Sequence, residues 1–200
     1  MKKKMVVLNY GVGNYRSLKN FFSIFDVDLI VSDDIKIIKQ ADILVLPGVG
    51  NYRAVISFLR QKRLDQVVLQ HVSSDKAIFG ICIGLHLLGS YSEEAPGVEG
   101  LGVFDFKVVG RSAGCHIGWQ KVCFDNFIGF ESVMRNSFFF NHSYKILETD
   151  RECVYTESKE KIPSIVKRNK IFGFQFHPEK SQENGKILIN YILKEELGIC

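Results

Sequence analysis

Apolar runs of strand length alternate with helical periodicity through the first half of this chain. Met5 to Tyr10 is the first run. Leu18, Phe21, Phe22 and Phe25 follow at i, i+3, i+4 and i+7, a spacing that puts four side chains on one helical face. Val27 to Val31 is a second run. A third, Ala41 to Leu46, stops at Pro47-Gly48 and leads into a segment with Val55, Phe58 and Leu59 on one side. The fourth, Ala77 to Ile81, passes directly into Cys82 and an apolar helix through Leu88. Strands separated by helices need crossover connections, and right-handed crossovers cover both faces of a parallel sheet. The pattern therefore predicts an α/β architecture.

The second half changes character. Val103 to Val109, Trp119 to Phe124, Ser137 to Ile146 and Cys153 to Glu157 read as strands with little helical pattern between them, so antiparallel pairing is expected there. Ile165 to Arg168 and Ile171 to Phe176 flank Asn169-Lys170, a connection of hairpin length whose second residue is poorly suited to positive φ. Gly185 to Leu197 closes the chain as a helix with Ile187, Leu188, Tyr191 and Ile192 as its apolar stripe. No Pro/Ser-rich linker divides the halves, and residues 1–200 are expected to form one domain. One internal echo stands out: Gly-Val-Gly-Asn-Tyr-Arg occurs at Gly11 to Arg16 and again at Gly48 to Arg53, each time between a strand and a helix. Both copies lack the final glycine of a dinucleotide-binding fingerprint. They read either as similar loop chemistry or as two loops at the carboxyl edge of a sheet, where doubly wound folds place their sites.

Composition narrows the partners. With 46% hydrophobic residues in 200, the chain can bury a substantial core, which excludes intrinsic disorder. A formal charge of +4, spread along the sequence, gives no case for nucleic acid. Lys2-Lys3-Lys4 followed by Met5 to Leu8 imitates a secretory leader, but Asn9 and Gly11 end the apolar stretch too soon. Nor does any run reach the roughly 18 to 20 apolar residues of a membrane span. Five cysteines, with no CxxC pair, fit a reducing cytoplasm. The histidines lack ligand spacing, and the adjacent Cys115-His116 is not a metal motif, so neither a metal nor a cofactor is expected.

Candidate chemistry starts at Gly80-Ile81-Cys82-Ile83-Gly84, where a buried strand turns sharply into a helix. That is the pattern of a nucleophile elbow with Cys in place of Ser. The flanking glycines allow the tight turn, the helix N-terminus favours a thiolate, and the N–H of Ile83 is placed for an oxyanion. The alternative is a structural cysteine in a Gly-flanked core turn. Phe174 to Glu179 supplies a base: His177 and Glu179 lie two residues apart at the end of a strand, and period two would aim them to one side. Glu179 would then hold the imidazole while His177 exchanges a proton with the thiol.

These motifs together resemble the class I glutamine amidotransferases. The likeness runs in order through GVGN at Gly11 to Asn14, PGVG at Pro47 to Gly50, the elbow, and EEAPGVEGLG at Glu93 to Gly102. It continues through HIGWQ at His116 to Gln120, NHSY at Asn141 to Tyr144, and GFQFHPEKSQ at Gly173 to Gln182. In this combination the chain resembles the glutaminase subunits of imidazole glycerol phosphate synthase. The resemblance implies a flavodoxin-like fold: a mixed, mostly parallel sheet with helices on both faces and an antiparallel extension in the C-terminal half. It implies Cys82 as nucleophile, His177 as base and acid, and Glu179 as its orienter. Ile83 and Val49 would be the oxyanion donors, the latter after a local peptide rearrangement. Gly48, Gly50, His86, Glu94, Ser143 and Tyr144 would surround L-glutamine. The implied partner is a (β/α)8-barrel cyclase subunit (HisF-like) that receives the ammonia, with Asn14, Trp119 and Lys180 near the interface. A single Trp among Phe-rich strands also fits a core position.

The chain departs from the family pattern at His86, where relatives usually carry Gln, and at Cys115, Gln120 and Asn141, commonly Pro, Asn and Val. Such changes suit a paralogue that supplies nitrogen for amidination of a bacterial surface or flagellar sugar. A non-catalytic binding subunit or a cysteine redox sensor on the same elbow is a third reading.

Overall fold

A computed structural model describes residues 2–124, 137–147, 152–158 and 160–199. The expected runs become β1 (Lys3–Leu8), α1 (Tyr15–Phe22), β2 (Val27–Ser32), α2 (Ile35–Lys39), β3 (Ile43–Leu46), α3 (Tyr52–Gln61), α4 (Leu64–Ser73), β4 (Ala77–Ile81) and α5 (Ile83–Leu88). There follow β5 (Tyr91–Ser92), β6 (Lys107–Gly110), β7 (His116–Cys123), β8 (Ser137–His142), β9 (Tyr144–Ile146), β10 (Glu152–Thr156), β11 (Pro163–Arg168) and β12 (Ile171–Phe174). A 3₁₀ turn (Pro178–Lys180), α6 (Gln182–Tyr191) and a π-helical turn (Ile192–Glu196) end the described chain.

Nine strands form one sheet in the order β2-β1-β3-β4-β12-β11-β10-β7-β8, and β5-β6-β9 form a second. The first five neighbours pair in parallel; from β12 outward the main sheet is antiparallel. Alternation along β1 shows why both faces are covered. Met5 and Val7 join a cluster with Phe22 of α1 and Leu188 of α6, whereas Val6 and Leu8 join Leu59 of α3 and Val68 of α4. All four β1 residues are buried, as central parallel strands require. Three helices start where a short polar side chain meets an orphan N–H: Asn14 caps Ser17, Asp34 caps Lys36 and Asn51 caps Ala54.

Several expectations need correction. Val103 to Phe106 is not strand; Val103, Phe104 and Phe106 are buried as an irregular segment, so their apolarity reports burial rather than pairing. Ser137 to Ile146 is two strands broken at Ser143, one in each sheet. The closing helix buries Leu188, Ile189, Ile192 and Leu193 rather than the stripe through Ile187 and Tyr191, and widens to π geometry at Ile192. In the Asn169-Lys170 hairpin only Asn169 takes positive φ, so Lys170 is spared the conformation it suits poorly. Helices α2 and α4 were not anticipated, although Leu64, Val67, Val68 and His71 carry a helical spacing.

Because β3, β4 and β12 are parallel neighbours, their carboxyl ends lie side by side. Gly48, Cys82 and His177 each follow one of those ends, which places three distant parts of the chain together.

Candidate active site

Cys82 joins β4 to α5 with φ 46° and ψ −105°, a conformation unusual for a residue with a side chain. The surrounding backbone enforces it. A Cβ on Gly84 would overlap the Leu46 carbonyl oxygen of β3, and one on Gly80 would meet the Gly84 carbonyl oxygen at 2.8 Å. Only glycine at both positions lets strand and helix approach this closely. The Cys82 N–H donates to Phe174 O at 2.6 Å, its thiol lies 3.6 Å from Asn141 O, and it shares one cavity wall with His177.

The imidazole is held differently from the way period two predicts. Strand β12 stops at Phe174, and Pro178, which has no N–H for a ladder, opens the 3₁₀ turn that carries Glu179. That turn brings the carboxylate back, so that the His177 Nδ1–H donates to Glu179 Oε1 at 2.9 Å with both side chains buried. The His177 backbone is anchored on β8: its N–H donates to Phe139 O at 2.9 Å, while Ser181 Oγ donates to His177 O at 2.6 Å and accepts from Phe139 N–H at 3.0 Å. Burial opposes charge on the ring, but hydrogen bonds and charge interactions with Cys82 and Glu179 outweigh it and raise the His177 pKa to about 9.

These groups open onto a cavity of about 290 Å³. Gly48, Val49 and Gly50 line it from the loop after β3, Cys82, Ile83 and His86 from the elbow, and Ser143 and Tyr144 from the break between β8 and β9. Glu94 completes the expected set, and Lys180, expected at the partner face, also lines the cavity. Glu94 Oε1 accepts the Tyr52 N–H at 2.9 Å and Asn51 Nδ2–H at 3.2 Å, fixing a carboxylate at the start of α3. His86 is buried, and its Nε2 lies 3.0 Å from Gln175 Oε1; burial lowers its pKa to about 4. It is therefore a neutral ring whose Nε2–H is committed to Gln175, not a free counterpart of glutamine.

Sequence reasoning missed three contributors. His142 lines the cavity, donates Nδ1–H to Tyr144 O at 2.8 Å, and has its pKa pushed down to about 3 by burial. The period-two series Phe138, Phe140, His142, all buried, was the available signal. Buried Ser181 and Gln175 had none, since one polar residue in a loop or strand looks like any other. A larger cavity of about 670 Å³, beside β9 and β10, contains none of the expected site residues.

Trp119 is 48% exposed, so the core alternative fails. It meets Phe139 edge-on at 6.0 Å, and Lys180 Nζ sits 5.8 Å from the centre of the same ring. Asn14 is exposed at the start of α1. Among the described residues no group of three His, Cys, Asp or Glu could hold a metal ion, and no helix is long and apolar enough to cross a membrane.

The sequence matches the family described as "Glutamine amidotransferase class-I" over residues 7–194. It is 38% identical over 194 residues to "Imidazole glycerol phosphate synthase subunit HisH" of Pyrococcus furiosus, covering 93% of this chain and 96% of that protein. The protein of the same name from Aquifex aeolicus is 35% identical over 202 residues, covering 96% and 98%. In three dimensions the chain is similar to a structure described as "Structure of PurLQS from Thermotoga maritima", with TM-score 0.75 and 18% identity over 98% of this chain and 99% of that one. A "Crystal structure of glutamine amidotransferase" superposes with TM-score 0.72 at 19% identity, covering 98% and 99%. At such identities the structural likeness speaks for the fold.

Proposed function

We propose, for a chain that belongs to the class I glutamine amidotransferases and among them to the HisH family, that Cys82, His177 and Glu179 hydrolyse the side-chain amide of glutamine. The observation that carries this reading is the buried imidazole that bonds Glu179 through Nδ1 and lines one cavity with the thiol of a strained elbow.

The chemistry follows from that arrangement. Cys82 Sγ attacks the amide carbon, and the carbonyl oxygen becomes an oxyanion facing the N–H of Ile83. Val49, exposed in the loop after β3, supplies a second donor once its peptide turns inward. One such donor typically lowers the barrier by ~3 to 4 kcal/mol, so the loop can gate turnover. His177 passes its proton to the departing nitrogen and ammonia leaves. Water then adds to the glutamyl thioester, with His177 as base, and glutamate is released. Glu179 holds the ring and stabilises its cation throughout.

Ammonia free in water is protonated and no longer nucleophilic, which favours direct transfer to a second subunit. The face formed by exposed Trp119 and half-buried Phe139 and Lys180 beside the pocket, with Asn14 exposed at the start of α1 after β1, suits a (β/α)8-barrel cyclase of the HisF type, and the pathway is histidine biosynthesis. In a mixture of chain, barrel partner and glutamine, glutamate release should vanish in Cys82→Ala; equal release from variant and parent would refute the mechanism. The isolated chain should turn over little glutamine. Release of glutamate without rescue of histidine prototrophy in a glutaminase-subunit deletion, the barrel being supplied, would transfer the subunit to a paralogous pathway.

A further inference from the structure

One wall of the cavity is made by two neighbouring segments: the turn that ends at Cys115, and Ser143-Tyr144. Strands β6 and β9 join them, pairing Val109 with Lys145 and Gly110 with Tyr144. The Arg111 N–H donates to Ser143 O at 3.0 Å, and Arg111 Nη1 donates to Gly114 O at 3.0 Å. Arg111 and Lys145 thus set two cations at the ends of the very segments that shape the pocket.

Among the described residues, the Glu160 carboxylate stands between them. Glu160 Oε2 accepts from Arg111 Nη2 at 2.7 Å and Nε at 3.3 Å, and Glu160 Oε1 pairs with Lys145 Nζ at 2.9 Å. The Arg111 side chain is only 8% exposed, unlike a surface pair whose partners move freely in water. Hydrogen bonds from Arg111 and Lys145 hold the Glu160 pKa down at about 2, against the opposing pull of burial. Glu160 comes from the connection between β10 and β11, which belong to the large sheet, whereas β6 and β9 belong to the small one. The pair therefore ties the two sheets together beside the pocket. The connection is itself held, because Thr156 Oγ1 accepts the Ile162 N–H at 2.9 Å.

We propose that Glu160, outside every recognised motif, is a positioning residue for glutamine: by bridging Arg111 and Lys145 it fixes the Ser143-Tyr144 segment and the Gly114-Cys115 turn against the bound substrate. The inference rests on the reading of this cavity as the glutamine site. Without the carboxylate, two like charges face each other across a strand pair, and the wall they carry relaxes. Chemistry at Cys82 is untouched, since Glu160 lines the neighbouring larger cavity and not the one that holds Cys82.

The test uses the chain with its barrel partner. Glu160→Gln should raise KM for glutamine about fivefold while kcat stays within about twofold, with Glu160→Asp in between. Glu157→Gln, an exposed acid on the same connection, should leave KM unaltered. A glutamine-like electrophile that labels Cys82 should need a correspondingly higher half-saturating concentration, whereas labelling by iodoacetamide should not change. An unchanged KM in Glu160→Gln, or a fall in kcat and in iodoacetamide labelling together with the melting temperature, would overturn the proposal. If the parent complex released no more glutamate than Cys82→Ala, the glutaminase reading would fall and this inference with it; an active parent with indifferent Glu160 variants would sink the inference alone.

Discussion

The two halves of the site are held by opposite means. The elbow around Cys82 is set by exclusion: Gly80 and Gly84 leave no volume for a side chain, and the parallel strands β3 and β12 on either side of β4 cannot move without opening the core. The base segment around His177 is set by hydrogen bonds. Phe139, Ser181 and Glu179 each grip a different atom of it, and the segment lies beyond the last ladder bond of β12. Packing tolerates almost no substitution but needs no particular polar partner, whereas a polar frame tolerates changes of shape and fails when one partner is lost. The nucleophile should therefore be robust in chemistry and brittle in sequence, and the base the reverse.

That contrast can be broken experimentally, most severely at the base. Glu179→Gln keeps the shape but removes the negative charge that stabilises the imidazolium and puts an NH2 donor where one acceptor oxygen stood, so the ring's tautomer is no longer fixed; glutamate release should fall on the order of 10³-fold, with the melting temperature little altered. Comparable turnover in parent and variant would show that the polar frame is not needed. Next comes the elbow. Gly84→Ala drives a methyl group into the Leu46 carbonyl and should cost about 3 kcal/mol, seen as a lower urea midpoint. A variant as stable as the parent would mean that β3 can move after all.

A smaller effect separates the two mechanisms within the base segment. Ser181→Ala leaves the Phe139 N–H without its acceptor and takes from the His177 carbonyl one of its two donors, the Lys180 N–H at 3.1 Å remaining, for a cost of about 1 to 3 kcal/mol. Alkylation of Cys82 by iodoacetamide should slow in that variant while the elbow stays folded. Equal rates would detach His177 placement from Ser181.

The pH dependence gives the mildest test. The folded-state pKa of His177, raised to about 9, exceeds the ordinary value of 6.5, so its contribution to stability is complete below about 6.5 and is lost as pH rises through 9. His86 and His142 run the other way. Their folded-state values, lowered to about 4 and about 3, mean stability held above 6.5 and lost as pH falls through those values. Urea midpoints should therefore decline on both sides of a plateau near neutrality, and a midpoint that kept rising to pH 10 would contradict the charged His177 pair.

Much of this was legible beforehand for a physical reason. The central parallel strands of the first half announced themselves because a strand segment buried on both faces must be apolar at every position, and Ala77 to Ile81 matches β4 residue for residue; β2, at the sheet edge with Asp28 exposed, was legible only as an apolar run. The same rule misled at Val103 to Phe106, where burial occurs without a ladder. At the site, the Gly-x-Cys-x-Gly spacing was readable because sterics at a sharp turn act within five residues. The His177–Glu179 bond was anticipated for the wrong reason: the alignment comes from a Pro-initiated 3₁₀ turn, not from strand alternation. His86 was assigned to the pocket, yet its Nε2–H is taken up by Gln175, a residue 89 positions away.

By itself, then, the order of residues determined what local forces can set: the strand and helix periods, the caps at Asn14 and Asn51, the glycine-flanked turn at Cys82, and the chemical identity of nucleophile, base and carboxylate. Only the folded chain decided which of these meet. The parallel pairing of β12 beside β4 brings residue 177 to residue 82, the edge of β8 holds the base, and Glu160 reaches from one sheet to the other. Contacts between residues so far apart depend on how whole sheets stack and twist, and no window of sequence carries that information.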